Sequence, residues 1–134
     1  MSERVAFDSE AILAFYLGED GAETVMSLLE KVQSGQIEGY INIINLAEIY
    51  YILHRADPKL AEEKERRIRL YGLKVIPIED NALWREAAKI KDEHSLSLAD
   101  AFAAATAKTL RGKLVVGSDQ EYKGLDIQLI KIRG

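Results

Sequence analysis

Five short β-prone runs alternate with helix-patterned runs along this chain, and that alternation limits the folds open to it. Residues 5–7, 40–44, 74–78, 114–116 and 126–132 read as strands. Between them, residues 9–16, 22–32, 46–53, 58–71, 79–92 and 98–110 carry apolar side chains at helical spacing. Strands separated by helices do not close as hairpins. They predict an α/β domain with a central, mainly parallel five-stranded sheet flanked by helices. The punctuation agrees. Gly18 to Gly21 is a break, Ser34-Gly35 ends a helix, Asp57-Pro58 reads as an N-cap with proline at the first helical position, and Gly72 closes the helix it opens. Pro77 predicts a strand end or edge. The chain has 134 residues and no repeat, linker or low-complexity segment, so residues 1–134 are expected to form one domain.

Hydrophobic residues make up 48% and charged residues 30%, enough apolar surface for one sizeable core. There is no cysteine, which removes disulfides, zinc-thiolate sites and a thiol nucleophile. No apolar run approaches the roughly 20 residues of a membrane helix, and the start Met1-Ser2-Glu3-Arg4 lacks a signal-peptide core. A cytoplasmic protein is expected.

Four acids stand at or near the ends of short apolar runs. Asp8 follows Val5-Ala6-Phe7, and Glu48 follows Ile43-Ile44-Asn45-Leu46-Ala47. Asp100 closes Ser97-Leu98-Ala99, and Asp119 follows Leu114-Val115-Val116-Gly117-Ser118. In a parallel sheet such positions gather at the carboxyl ends of the strands, where α/β folds place ligands. Each acid alone also reads as a helix cap. Asn45-x-x-Glu48 and Ser118-x-x-Glu121 fit a capping box, Ser97-x-x-Asp100 is its aspartate form, and Asp8 or Ser9 suits the start of the first helix. The set is harder to explain by capping. Two carboxylates ~4 Å apart repel by about 4 kcal/mol at an effective dielectric of 20. A divalent cation removes that cost, and all-oxygen ligands without His or Cys suit Mg²⁺ or Mn²⁺. Such an ion activates water and stabilises charge on a phosphoryl oxygen, which fits hydrolysis of a phosphodiester.

The ordered set Asp8-Ser9, Asn45-Leu46-Ala47-Glu48, Leu98-Ala99-Asp100-Ala101 and Gly117-Ser118-Asp119 resembles that of PIN-domain nucleases, and most of all the VapC-like toxins of prokaryotic toxin–antitoxin pairs. The likeness spans essentially the whole chain. It implies a PIN-like fold, Mg²⁺- or Mn²⁺-dependent endoribonuclease activity, a homodimer and a small antitoxin partner. Position by position, Asp8, Glu48 and Asp100 match the family's three most regular metal-site acids, and Asp119 matches the more variable fourth. Ser118 matches a small hydroxyl residue that orients neighbouring acids, with Ser9 and Asn45 as supporting donors. The resemblance implies that Asp8 and Asp100 hold the main ion and that Glu48 binds it or orients the attacking water. Asp119 would support a second ion or a bridging water. The products would carry 5′-phosphate and 3′-hydroxyl ends.

Several other residues are candidates for RNA contact. Net charge is −4, so an RNA site requires a local basic surface. Lys64, Arg66, Arg67, Arg69 and Lys74 form the densest basic stretch, but Glu62, Glu63 and Glu65 supply i,i+4 partners for a solvated helix face. Lys108, Arg111, Lys113 and Lys123 are alternatives for phosphate contact near the Asp100 helix or the Asp119 turn. Tyr16, Tyr50, Tyr51 and Tyr71 could stack on bases, yet helical spacing favours packing or a dimer surface. Only His54 and His94 could serve a metal-free acid–base mechanism, and they read as a helix end and a polar loop. Three other readings stay open: a PIN-like module that binds RNA or a partner without cutting, a nuclease of rRNA maturation, and a phospho-signalling receiver. The receiver lacks an acceptor aspartate after the third strand, which ends Ile76-Pro77-Ile78-Glu79.

Overall fold

A computed structural model describes residues 3–118 and 120–133. The chain runs β1 (Glu3–Phe7), α1 (Ser9–Leu17), α2 (Ala22–Gln33), β2 (Ile37–Asn42), α3 (Ile43–Ala56), α4 (Pro58–Leu70), β3 (Lys74–Ile76), α5 (Asn81–Glu93), α6 (Leu98–Leu110), β4 (Lys113–Val116), a 3₁₀ turn (Gln120–Tyr122) and β5 (Leu129–Lys131). The strands form one sheet in the order β3-β2-β1-β4-β5, and every neighbouring pair is parallel.

Alternation along the central strands divides the core into two layers. Val5, Phe7, Ile41 and Val115 face one side and pack with Ile12, Val25, Leu29, Ile49, Leu53 and Ile68 of α1 to α4. Ala6, Tyr40, Leu114 and Val116 face the other, against α5 and the alanine-rich α6. The run from Ala101 to Ala107, five alanines with Phe102 and Thr106, is buried throughout.

The expected architecture holds, and the boundaries shift for local reasons. Ile43 and Ile44 read as strand residues but open α3, because the Asn42 side chain accepts a hydrogen bond from the Ile44 N–H and caps the helix there. Asn45-x-x-Glu48 is therefore not a capping box. α5 starts after an Asp80 cap rather than at Glu79. β3 stops at Ile76, one residue before Pro77, and β5 is only Leu129–Lys131. Asp57 and Pro58 cap and open α4 as expected, and Asp8 and Ser97 cap α1 and α6.

The strand order fixes where a ligand can sit. The chain begins at the central strand, steps outward through β2 and β3, then returns to the other side of β1 for β4 and β5. The reversal lies between β1 and β4, and the crevice at their carboxyl ends is the ligand position of such sheets. Asp8 follows β1 there, and Gly117-Ser118 follow β4.

Close packing between β2 and its neighbours depends on Gly39. A Cβ at this position would lie 2.6 Å from Leu73 Cδ2 and 2.7 Å from Val32 Cγ2. Gly39→Ala is expected to destabilise the fold by about 1–3 kcal/mol through overpacking, read as a lower denaturant midpoint at unchanged slope.

Candidate metal centre

Asp8 is the anchor of the site. Its N–H donates to the Val115 carbonyl at 3.0 Å, continuing the β1–β4 ladder by one residue. Its side chain then turns to cap α1, with Oδ1 accepting from the Ala11 N–H at 2.8 Å. Oδ2 accepts from the Tyr122 hydroxyl at 3.0 Å. The same hydroxyl donates to Asp100 Oδ1 at 3.1 Å. Asp100 sits in the first turn of α6, half-buried. Two acids from separate elements thus converge on one tyrosine oxygen at the β1–β4 crevice.

Burial dominates the electrostatics. Asp8 is 1% exposed. Desolvation pushes its carboxyl up to about 7, and the charges of Asp100 and Glu10 add to that, against the opposing hydrogen bonds from Ala11 and Tyr122. Burial, then the two carboxylates, hold the Tyr122 hydroxyl protonated well above its ordinary range. One hydroxyl proton cannot serve two carboxylates at once. The second contact is a hydrogen bond only when a carboxyl carries a proton itself, and Asp8 is placed to do so. Glu121 is also raised, first by its partial burial and then by Asp100 and Glu10.

Three helix starts are tied together beside these acids. Ser9 Oγ donates to the Asn45 carbonyl at 3.3 Å and accepts from Asn45 Nδ2 at 3.1 Å. Asn45 Nδ2 also donates to the Ala99 carbonyl at 3.0 Å, next to Asp100. Asn42 Nδ2 donates to Thr106 Oγ1, which in turn donates to the Phe102 carbonyl. All four of these polar side chains are buried. Asn45 Oδ1 is buried without a hydrogen-bond donor among the described residues.

The expected residues divide as follows. Asp8 and Asp100 are brought together. Ser9 and Asn45 lie in the supporting network. Glu48 stands one turn beyond Asn45 on α3, half-buried, and makes no ion pair or hydrogen bond with the other described residues. Ser118 follows β4 and is half-buried. Asp119 lies outside the described residues. Among the described residues no three acids come close enough to hold an ion by themselves. The donor chemistry still suits a hard cation: two oxygens of different acids share one proton donor, a buried carboxyl resists ionisation, and a buried amide oxygen lacks a donor.

Sequence reasoning missed Tyr122 and Glu10. Glu10 belongs to the acidic group, and its carboxyl lies so close to Gly117 that a Cβ there would collide with it. Its proximity to Asp8 along the chain was a usable signal. Arg133 closes the rim, pairing with Glu10 at 3.3 Å and Glu19 at 3.7 Å and donating to the Asp20 carbonyl. The basic stretch of α4 is the solvated face expected, with Arg67–Glu63 at 3.3 Å and Arg69–Glu65 at 3.2 Å. Lys74, Lys108 and Lys113 pair with Glu38, Glu86 and Glu3. Tyr50 and Tyr51 point apart: Tyr50 stacks on His54, whereas Tyr51 is 51% exposed under Arg55.

The PIN-domain family model matches residues 5–127. The chain belongs to the PIN-domain family. No curated protein matches it in sequence. Among solved structures, this PIN domain is similar to DNA-bound VapBC from Salmonella typhimurium, with a TM-score of 0.74, 16% identity and 98% and 99% of the two chains covered. It is similar to a toxin–antitoxin complex from Klebsiella pneumoniae at TM-score 0.72 and 18% identity, covering 96% and 97%. It is also similar to VapC20 of Mycobacterium tuberculosis, a sarcin–ricin loop cleaving toxin, at TM-score 0.68 and 17% identity, covering 97% and 99%. Among the described residues no helix is long and apolar enough to cross a membrane.

The buried Asp8 sets a pH dependence. A carboxyl raised from 3.8 to about 7 in the folded state binds more protons folded than unfolded between those values. Its penalty is therefore absent below pH ~4, grows with rising pH, and is complete above pH ~7, at about 4 kcal/mol. Asparagine caps helices as well as aspartate does. Asp8→Asn, in EDTA, is expected to raise the melting temperature at pH 8 and to raise it much less at pH 4.5, as read by thermal denaturation at both values.

Proposed function

We propose that this PIN domain is a Mg²⁺- or Mn²⁺-dependent endoribonuclease, the toxin of a VapBC-type pair, acting in the cytoplasm and restrained by a cognate antitoxin. The observation that carries this reading is the convergence of Asp8 and Asp100 on one point of the β1–β4 crevice. Family membership and the VapBC structures of the same fold support it. A toxin of this fold cleaves an RNA loop, which supports RNA as the substrate class. Homodimerisation is part of the proposal by the same likeness.

In this reading Asp8 and Asp100 hold the ion. Glu48 binds it or orients the attacking water from α3, and Asp119 supports a second ion or a bridging water. When bound, the ion supplies Lewis-acid stabilisation of phosphoryl charge and a nucleophile at moderate pH. The chain's own part is orientation. The α1 cap fixes the Asp8 carboxyl, and the Ser9–Asn45–Ala99 network fixes the spacing of the α1, α3 and α6 starts. Ser118 would orient the acids beside β4.

A second reading, a PIN module that binds RNA or a partner without cutting, draws on the lack of a three-acid cluster among the described residues. Cleavage of a mixed RNA pool with Mn²⁺ or Mg²⁺, and with EDTA, separates the two. Cutting is expected only with the metal ion, leaving 5′-phosphate ends. It should fall at least ~100-fold in Asp8→Asn and in Asp100→Asn, equivalent to about 2.7 kcal/mol of transition-state stabilisation. Retention of wild-type cutting by both folded variants would remove these acids from the mechanism.

A further inference from the structure

The Tyr122 hydroxyl is the one hydrogen-bond partner of the Asp100 carboxylate among the described residues. Asp8 has a second anchor, the Ala11 N–H. Asp100 has none, since its own capping contact runs from its backbone N–H to Ser97. Tyr122 is well suited to impose a direction. Its ring is 2% exposed in the core layer that holds Ala101, Leu114 and Val116, so the hydroxyl cannot swing away without unpacking it. It also belongs to the 3₁₀ turn between β4 and β5. Its two contacts therefore bind that turn to the β1–α1 junction and to α6.

We propose that Tyr122 is a positioning residue: its buried hydroxyl orients Asp100 toward Asp8 and pins the turn after β4 against the site before any ion arrives. For its effect on the ion this rests on the reading of Asp8 and Asp100 as ion-holding acids. The tether itself does not. Without the hydroxyl, Asp100 keeps its place on α6 but loses the direction of its carboxylate, while Asp8 keeps its cap. The variant should therefore hold its fold and lose pre-organisation. Removing a partner that orients a ligating carboxylate typically weakens metal binding 10- to 100-fold.

The test is Tyr122→Phe in the full chain, which preserves the ring and removes the oxygen. Mn²⁺ binding is measured by calorimetry without RNA, and amide hydrogen exchange across residues 120–122 is measured without metal. The expected result is Mn²⁺ affinity at least ~10-fold weaker and exchange at least ~10-fold faster in the turn, with the melting temperature retained. A purely structural tyrosine would lower the melting temperature without a separate loss of Mn²⁺ affinity. Unchanged or tighter Mn²⁺ binding by the folded variant overturns the proposal, tighter binding meaning that the hydroxyl competes with the ion. If wild-type protein binds no Mn²⁺, the ion-holding reading fails by itself. The tether then stands on faster exchange in the variant and falls on unchanged exchange.

Discussion

A carboxylate cut off from water at the reversal point of a parallel sheet is the constraint around which this structure is arranged. Asp8 follows the central strand, and its backbone is fixed by the ladder to β4. Among the described residues its side chain has two hydrogen-bond partners, the start of α1 and Tyr122. A helix N-terminus favours negative charge by roughly 0.3–1 kcal/mol at exposed sites and more when partly buried. That does not offset the desolvation that raises its carboxyl to about 7. Asp57 performs the same local task for α4 from an exposed position. Capping alone therefore does not explain why this acid is placed inside.

The surroundings are built to hold that arrangement still. Asn42, Asn45, Ser9 and Thr106 are the other buried polar side chains among the described residues, and all lie where α1, α3 and α6 meet the sheet. Their bonds run between elements, from α3 to α1 and α6 and from the end of β2 to α6. Each such bond adds only about 0.5–1.5 kcal/mol net. Their effect is geometric: the chain cannot slide one helix start past another without stranding a buried donor or acceptor.

The fold was legible because its cues are local. The short apolar runs of β1 and β4, the helical spacing between strands and the Asp57-Pro58 start are each set by neighbouring residues. Ile43-Ile44 misled for the same reason. β-branched pairs favour strands, and the cap that overrules them is a single side chain, Asn42. In the site, Asp8 and Asp100 were legible as acids placed next to strand and helix boundaries. Asn45 was legible as a supporting donor through the family resemblance, but its partners, Ser9 and the Ala99 carbonyl, were not. Tyr122 was not legible, because a tyrosine in a short turn carries no sign of what its hydroxyl will meet 114 positions away in sequence. Such contacts exist only once the sheet has brought the elements together.

The distribution of positive charge gives the last constraint. Arg67, Arg69, Lys74, Lys108, Lys113 and Arg133 each have a carboxylate partner within 4 Å. Exposed pairs of this kind stabilise little, but they show where the chain's cations are spent. Around the β1–β4 crevice the described charges are Asp8, Glu10, Asp100 and Glu121, with Arg133 turned toward Glu10 and Glu19 at the rim. A phosphodiester approaching that crevice meets like charge. The acids described around Asp8 and Asp100 favour positive charge between them, and in the proposed reading a divalent cation would supply it where the two acids converge, giving a phosphate a place to settle.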